Sequence, residues 1–162
     1  EVVEILNKNT CSKSITLMFG YPLIFTQQQL ERINGLFLNI HSGVLPYYRG
    51  VACNLFAAFI GDHENIGHTC HKVNDEIDAG ELLKVTRAIP MKNESLQVVE
   101  ARSLNQLLTA ISKKINGMVD IDCIRNDLTP QDISRSVYVR RAIINETFLT
   151  QYDKLYPAGI LK

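Results

Sequence analysis

Neither sign of charge is in excess in this chain: seventeen basic and seventeen acidic residues leave a formal net charge of zero. No broad positive field is therefore available to collect phosphate backbones, and nucleic acid is not an expected partner. Cysteine is sparse. Cys11, Cys53, Cys70 and Cys123 are widely spaced with no Cys-x-x-Cys pair, which fits reduced thiols packed as ordinary side chains and argues against a disulfide framework. Long apolar runs are also missing: nothing approaches the ~20 residues of a membrane span, and no basic segment followed by an apolar stretch and cleavage site opens the chain. No membrane partner is expected, and the expected compartment is the cytoplasm. Internal repeats and low-complexity tracts are not seen.

What is present is a chain of 162 residues, 46% hydrophobic, long enough to bury one core without disulfides or metal. Val2, Val3, Ile5 and Leu6 read as the end of a helix. Ile15-Thr16-Leu17-Met18-Phe19, stopped by Gly20, reads as a buried parallel strand. Thr26 can cap a short helix through Ile33, and Asn34-Gly35 precede a second strand over 36–41, opened by the apolar run Leu36-Phe37-Leu38. Residues 52–60 carry Leu55, Phe56, Phe59 and Ile60 at helical spacing, and strands are expected over 68–73 and 82–89. From Leu96 to Ile115 the apolar residues recur with the period of a long amphipathic helix stopped by Asn116-Gly117. Beyond it, residues 119–124 alternate like an exposed strand, and Thr129-Pro130-Gln131-Asp132 has the form of a helix start.

The chemistry-bearing stretch is Asn39-Ile40-His41, followed by Ser42-Gly43-Val44-Leu45-Pro46-Tyr47-Tyr48-Arg49-Gly50. On a strand, Asn39 and His41 project from the same face, an amide donor beside a base that titrates near neutrality. The glycines and proline end that strand at its carboxyl edge, where open parallel sheets place their ligand crevice. After roughly one helix and one strand comes a second element, running from Gly67-His68-Thr69-Cys70-His71 through an acidic loop to Asp78-Ala79-Gly80. This loop can bring a carboxylate to the histidine. His71 either faces the same crevice, as a substrate contact, or is a buried structural group. His63, His68, Cys70 and His71 have no recognised ligand spacing, so no metal is expected.

Together Asn39-Ile40-His41, Leu45-Pro46, Tyr48-Arg49-Gly50 and Asp78-Ala79-Gly80 resemble the folate-dependent formyltransferase family, whose pattern has an asparagine, a histidine two residues on, a Leu-Pro turn and an aspartate in an Asp-x-Gly loop. The resemblance covers approximately residues 15–117. It implies an α/β fold with a Rossmann-like, mostly parallel sheet and flanking helices, here without counterparts of the family's first strands. It implies a catalytic core over 1–117 and a C-terminal extension over 118–162, the expected place for any contact between copies in a homo-oligomer.

By the same resemblance Asn39, His41 and Asp78 are the catalytic trio, and 10-formyltetrahydrofolate is the co-substrate. Tyr21, Pro22, Leu23 and Phe25 lie in the loop that borders the pterin ring, with Asn74, Asp75 and Ile77 on its other side. Formyl transfer asks fixed donors to meet the charge that grows on the formyl oxygen, a role for the Asn39 amide. It also asks a base to relay the amine's proton, a role for His41 oriented by Asp78. The acceptor is expected to be a small-molecule amine. Tyr48 and Arg49 in Tyr47-Tyr48-Arg49-Gly50 look more like the sugar enzymes of the family and favour a nucleotide-linked amino sugar. Arg49 either pairs with an anionic group or braces its own turn. Glycinamide ribonucleotide is the alternative acceptor, and a noncatalytic folate-binding fragment the alternative class. Transfer RNA is disfavoured by the neutral charge.

Overall fold

The computed structural model describes residues 2–20, 24–157 and 159. After helix α1 (Val2–Lys8), strand β1 (Ile15–Phe19) ends at Gly20, whose φ of 66° turns the chain. Thr26 opens α2 (Gln27–Glu31) with a capping box: its hydroxyl accepts the Gln29 N–H, and the Gln29 side chain accepts the Thr26 N–H. Strand β2 (Leu36–His41) then pairs in parallel with β1, Ile15 opposite Leu36 and Phe19 opposite Ile40. This is the expected strand, helix, strand unit.

A short strand β3 (Tyr48–Gly50) leads into α3 (Cys53–Phe59). Next come β4 (Gly67–Lys72) and β5 (Leu82–Arg87), completing a four-stranded sheet of order β1-β2-β4-β5. The α/β class is as expected, but the sheet is mixed rather than mostly parallel. β4 runs antiparallel to both β2 and β5, and among the described residues β1 and β2 are this sheet's one parallel pair. The segment joining β4 to β5 is too short for a crossover helix, so the two strands return on each other as a hairpin.

Helix α4 (Leu96–Asn116) is capped by Ser95, which accepts the Val98 N–H; it buries Leu107 and Ile111 with Cys70 of β4 and Leu83 of β5, and Leu96 and Val99 with Cys53 and Ala57 of α3. The alternating stretch that followed it was expected to be a strand; it forms α5 (Ile121–Asn126), with the Asp120 carboxylate accepting the Asp122 N–H at its start. Ile121 and Ile124 are one helical turn apart and both are buried. Thr129 does not start a helix but pairs with Leu82 as an isolated antiparallel bridge. Strand β6 (Val137–Val139) pairs in parallel with β3, and α6 (Glu146–Leu155), capped by Asn145, rests Phe148 on Phe59 at 4.3 Å between ring centres.

Two apolar clusters hold these layers. One gathers Leu36, Leu38, Ile40, Cys70, Leu107 and Ile111, closed by Ile121 and Ile124 of α5. The other joins Tyr48, Cys53, Ala57, Ile66 and Val99 to Val139 of β6. Each aliphatic side chain buried in this way contributes about 1.5–3 kcal/mol. The carboxyl end of β2 is fixed between them. No described helix is long and apolar enough to cross a membrane.

Candidate active site

Antiparallel pairing sets Asn39 of β2 directly opposite His71 of β4, and His41 opposite Thr69. Directly opposed side chains on one face touch, and the Asn39 Nδ2 donates to His71 Nε2 at 3.2 Å. The Lys72 carbonyl lies 2.9 Å from His71 Nδ1 and can only accept, so Nδ1 carries the hydrogen and Nε2 is free to receive Asn39. The Tyr48 carbonyl fixes His41 in the same manner: it accepts from His41 Nε2 at 2.9 Å, which leaves Nδ1 as the basic atom.

His41 Nδ1 faces the Asp78 carboxylate, 3.4 Å from Oδ2, while the other oxygen, Oδ1, lies 3.4 Å from His71 Nε2. The Gly50 N–H donates to Asp78 Oδ2 at 2.9 Å. One carboxylate thus spans two imidazoles and a backbone donor. Burial pushes the His41 pKa down, a shift that the Asp78 charge and the Tyr48 carbonyl only partly oppose. Burial alone would raise Asp78; a hydrogen bond from His71, made when its Nε2 also carries a hydrogen, the charge of a protonated His41 and the Gly50 N–H together outweigh it and hold the carboxyl below its ordinary value. Asp78 also has φ of 50°, a left-handed conformation that costs a non-glycine residue on the order of 1–3 kcal/mol.

Behind the trio, Thr69 ties down the turn after His41: its hydroxyl donates to the Gly43 carbonyl at 2.8 Å and accepts the Leu45 N–H at 3.1 Å. Gly43 itself has no room for a side chain, since a Cβ there would lie 2.5 Å from His41 Nε2. His68, on the same strand as His71, is sealed between the Ser42 and Ser103 hydroxyls at 2.9 and 3.3 Å, and burial lowers its pKa to about 4.

Asn39, His41, His71 and Asp78 all open onto one cavity of about 550 Å³. Its apolar walls include Phe19, Ile24, Phe25 and Ile77, and Phe25 is braced edge-on by Phe37 with ring centres 5.1 Å apart. Asn74 also lines it, with a buried Oδ1 that has no hydrogen-bond partner. The volume is that of a small-molecule site. A flat heteroaromatic ring bearing N–H donors fits both the apolar walls and that unpaired acceptor.

Several sequence-predicted residues sit elsewhere. Tyr21, Pro22 and Leu23 lie outside the described residues. Asp75 is exposed on the outer side of its loop and does not line the cavity. Tyr48, expected as a substrate contact, turns its ring into the core, where its hydroxyl donates to Asp62; its contribution to the site is the carbonyl that orients His41. Arg49 pairs with Glu76 at 2.8 Å and lies against the Tyr138 ring, at the cavity's edge rather than in its lining. The sequence reading missed the Gly50 N–H, Ser42 and Tyr138, all at the cavity. Gly50 stood within the quoted Tyr-Arg-Gly run; Tyr138 had no local signal. Among the described residues no group of His, Cys, Asp and Glu is arranged to hold a metal ion.

The family model described as Formyl transferase matches residues 7–115. The phosphoribosylglycinamide formyltransferase of Haemophilus influenzae is 35% identical over 92 residues, covering 57% of this chain and 43% of that protein. The methionyl-tRNA formyltransferase of Borrelia hermsii is 32% identical over 126 residues, covering 75% and 40%. The chain therefore spans less than half the length of these two relatives. Among solved structures, the formyltransferase PseJ from Anoxybacillus kamchatkensis, in complex with UDP-4,6-dideoxy-4-formamido-L-AltNAc and tetrahydrofolate, superposes with a TM-score of 0.63 at 20% identity, over 90% of this chain and 77% of that one. The N-formyltransferase from Helicobacter canadensis, in complex with folinic acid and dTDP-3-aminofucose, gives 0.61 at 21% identity, over 80% and 46%. The last two are likenesses of fold; the family match covers most of the chain, and on it this protein belongs to the formyl transferase family.

Proposed function

We propose that this chain carries the centre of an N-formyltransferase that moves a formyl group from 10-formyltetrahydrofolate to an amine, with Asn39, His41 and Asp78 as its catalytic residues. The observation that carries the reading is the convergence of one carboxylate on two imidazoles, beside an amide, at the wall of a ligand-sized cavity. Bound there, the folate supplies an electrophilic formyl carbon. Phe25 and Ile77 provide apolar walls for its ring, and Asn74 Oδ1 an acceptor for a ring N–H.

One hydrogen of the Asn39 amide is committed to His71, which aims the other into the cavity, where it can donate to the formyl oxygen as negative charge grows on it. His41 is held neutral by burial, with Nδ1 as its free base, and can take the proton that the attacking amine must lose. Asp78 then stabilises the imidazolium it faces, which can return the proton to the folate nitrogen as its bond to the formyl carbon breaks and tetrahydrofolate leaves. His71 braces Asn39, and can hold Asp78 as well when Nε2 also carries a hydrogen.

A nucleotide-linked amino sugar is the acceptor class we favour. The Tyr47-Tyr48-Arg49-Gly50 run supports it, as do structural neighbours whose complexes contain nucleotide-linked sugars. The neutral chain has no field for a tRNA, although methionyl-tRNA formyltransferases are among the relatives. Glycinamide ribonucleotide is the second reading, favoured by the 35% identity to the Haemophilus enzyme. Incubating the protein with 10-formyltetrahydrofolate and a panel of both amine types, and detecting formamide product by mass spectrometry, distinguishes them.

A further inference from the structure

The loop that carries Asp78 is held by a residue 53 positions further along the chain. Gln131 lies beyond the residues matched by the family model, on the connection between α5 and β6. That connection is anchored to the sheet: the Leu82 N–H donates to the Thr129 carbonyl at 2.7 Å, and the Thr129 N–H donates back at 2.9 Å. From this anchor Gln131 Nε2 donates to the Gly80 carbonyl at 2.6 Å and to the Asp78 carbonyl at 3.1 Å.

An amide nitrogen has two hydrogens, and here both are used. The reversed amide would set Oε1 against two carbonyl oxygens, so the chemistry fixes which way it faces. Oε1 itself is buried and has no hydrogen-bond partner. A Cβ at Gly80 would lie 1.8 Å from the Lys72 carbonyl oxygen, so the loop also lies hard against the end of β4. The loop is therefore clamped between the β4 backbone and the Gln131 amide. Asp78 needs such a clamp, because its φ of 50° persists in a non-glycine residue only where the surroundings over-determine it.

We propose that Gln131 is a positioning residue for the transfer reaction: by tying the Asp78 and Gly80 carbonyls to the Thr129 bridge, it holds the Asp78 carboxylate at once against His41 and His71. This rests on the catalytic reading of Asp78. The C-terminal segment is thereby a working part of the site. A misplacement of about 1 Å in a reacting constellation costs up to roughly 10²-fold in rate, which sets the effect to look for.

The test compares the wild-type protein with Gln131→Ala and with Gln131→Met, which keeps the volume and loses the donors. Hydrogen exchange at the Asp78, Ala79 and Gly80 amides reads the loop whether or not transfer occurs, and steady-state kinetics with calorimetry of a stable 10-formyl analogue read the site. Expected in both variants are faster exchange confined to the loop, kcat lower by about 10- to 100-fold, and analogue affinity within about twofold of wild type. A purely structural role changes kcat and affinity together or neither, and with loop exchange unchanged it overturns the proposal. Faster loop exchange in the variants of a protein that transfers no formyl group at all upholds the clamp and overturns the transferase reading.

Discussion

The Asp78 carboxylate and the His41 imidazole face each other at 3.4 Å, Oδ2 to Nδ1, although one comes from the loop after β4 and the other from the last residue of β2. With Nε2 of His41 committed to the Tyr48 carbonyl, that facing nitrogen is the one free to bind a proton. Asp78→Asn keeps the shape and removes the charge. It is expected to lower kcat by about 10²- to 10⁴-fold with the fold intact, read from steady-state rates beside a thermal melt. Wild-type kcat in the variant contradicts the pairing.

The direction of the His41 shift sets the pH dependence of the rate. Burial lowers its pKa from the ordinary 6.5, so the base is neutral above that folded-state value and protonated below it. The acid limb of the kcat profile is therefore expected below pH 6.5, with rate rising with pH through it. A limb centred well above that value rules out neutral His41 as the base.

Stability has its own acid dependence, to which His68 contributes. Its folded pKa is about 4 against an ordinary 6.5, so between those values the unfolded chain binds more protons than the folded one and stability falls as the pH drops. His41 acts in the same direction, and the depressed Asp78 adds a further loss near and below the carboxylate range. Urea melts of wild type and His68→Gln between pH 7 and 4 should show a shallower decline in the variant, by on the order of 2 kcal/mol. Parallel declines in the two proteins refute this assignment.

Gly43→Ala tests the packing under His41. The new Cβ would lie 2.5 Å from His41 Nε2 and 2.7 Å from the Cys53 Cβ, so it must displace the imidazole from the Tyr48 carbonyl. A stability loss of about 1–3 kcal/mol is expected together with loss of transfer, measured by denaturant unfolding and by rate. Leu38→Ala, at a fully buried position in the strand that carries Asn39 and His41, should cost about 2–5 kcal/mol by the same unfolding measurement.

How far the sequence could be read depended on whether the signal was local. Leu36-Phe37-Leu38 is a continuous apolar run that opens a central strand, and the caps at Thr26 and Ser95 are made by residues that announce themselves, so β2, α2 and α4 are all legible. Residues 119–124 satisfy two periods at once. Ile121 and Ile124 are separated by three, which suits a helix, while the Asp residues between and before them mimic strand alternation; burial of both isoleucines under β2 and α4 decides for the helix. The mixed sheet escaped notice because apolar strands look alike in either direction.

At the site, Asn39, His41 and Asp78 were found through a motif, whereas Gln131 was not marked as a site residue: its partners are 53 and 51 residues away. Tyr48 faces the core rather than the cavity: its ring joins Cys53, Ala57 and Ile66, and its hydroxyl donates to the half-buried Asp62, a placement that the Tyr47-Tyr48-Arg49-Gly50 run does not itself signal.

The most direct test follows the formyl carbon itself. The wild-type protein, incubated with 10-formyltetrahydrofolate labelled with carbon-13 in the formyl group and a nucleotide-linked amino sugar, is expected to give labelled formamide and tetrahydrofolate in equal amounts. The Asp78→Asn protein should give at least about 10²-fold less in the same time. Equal yields from the two proteins, or label that stays on the folate with every amine offered, contradict formyl transfer by Asn39, His41 and Asp78.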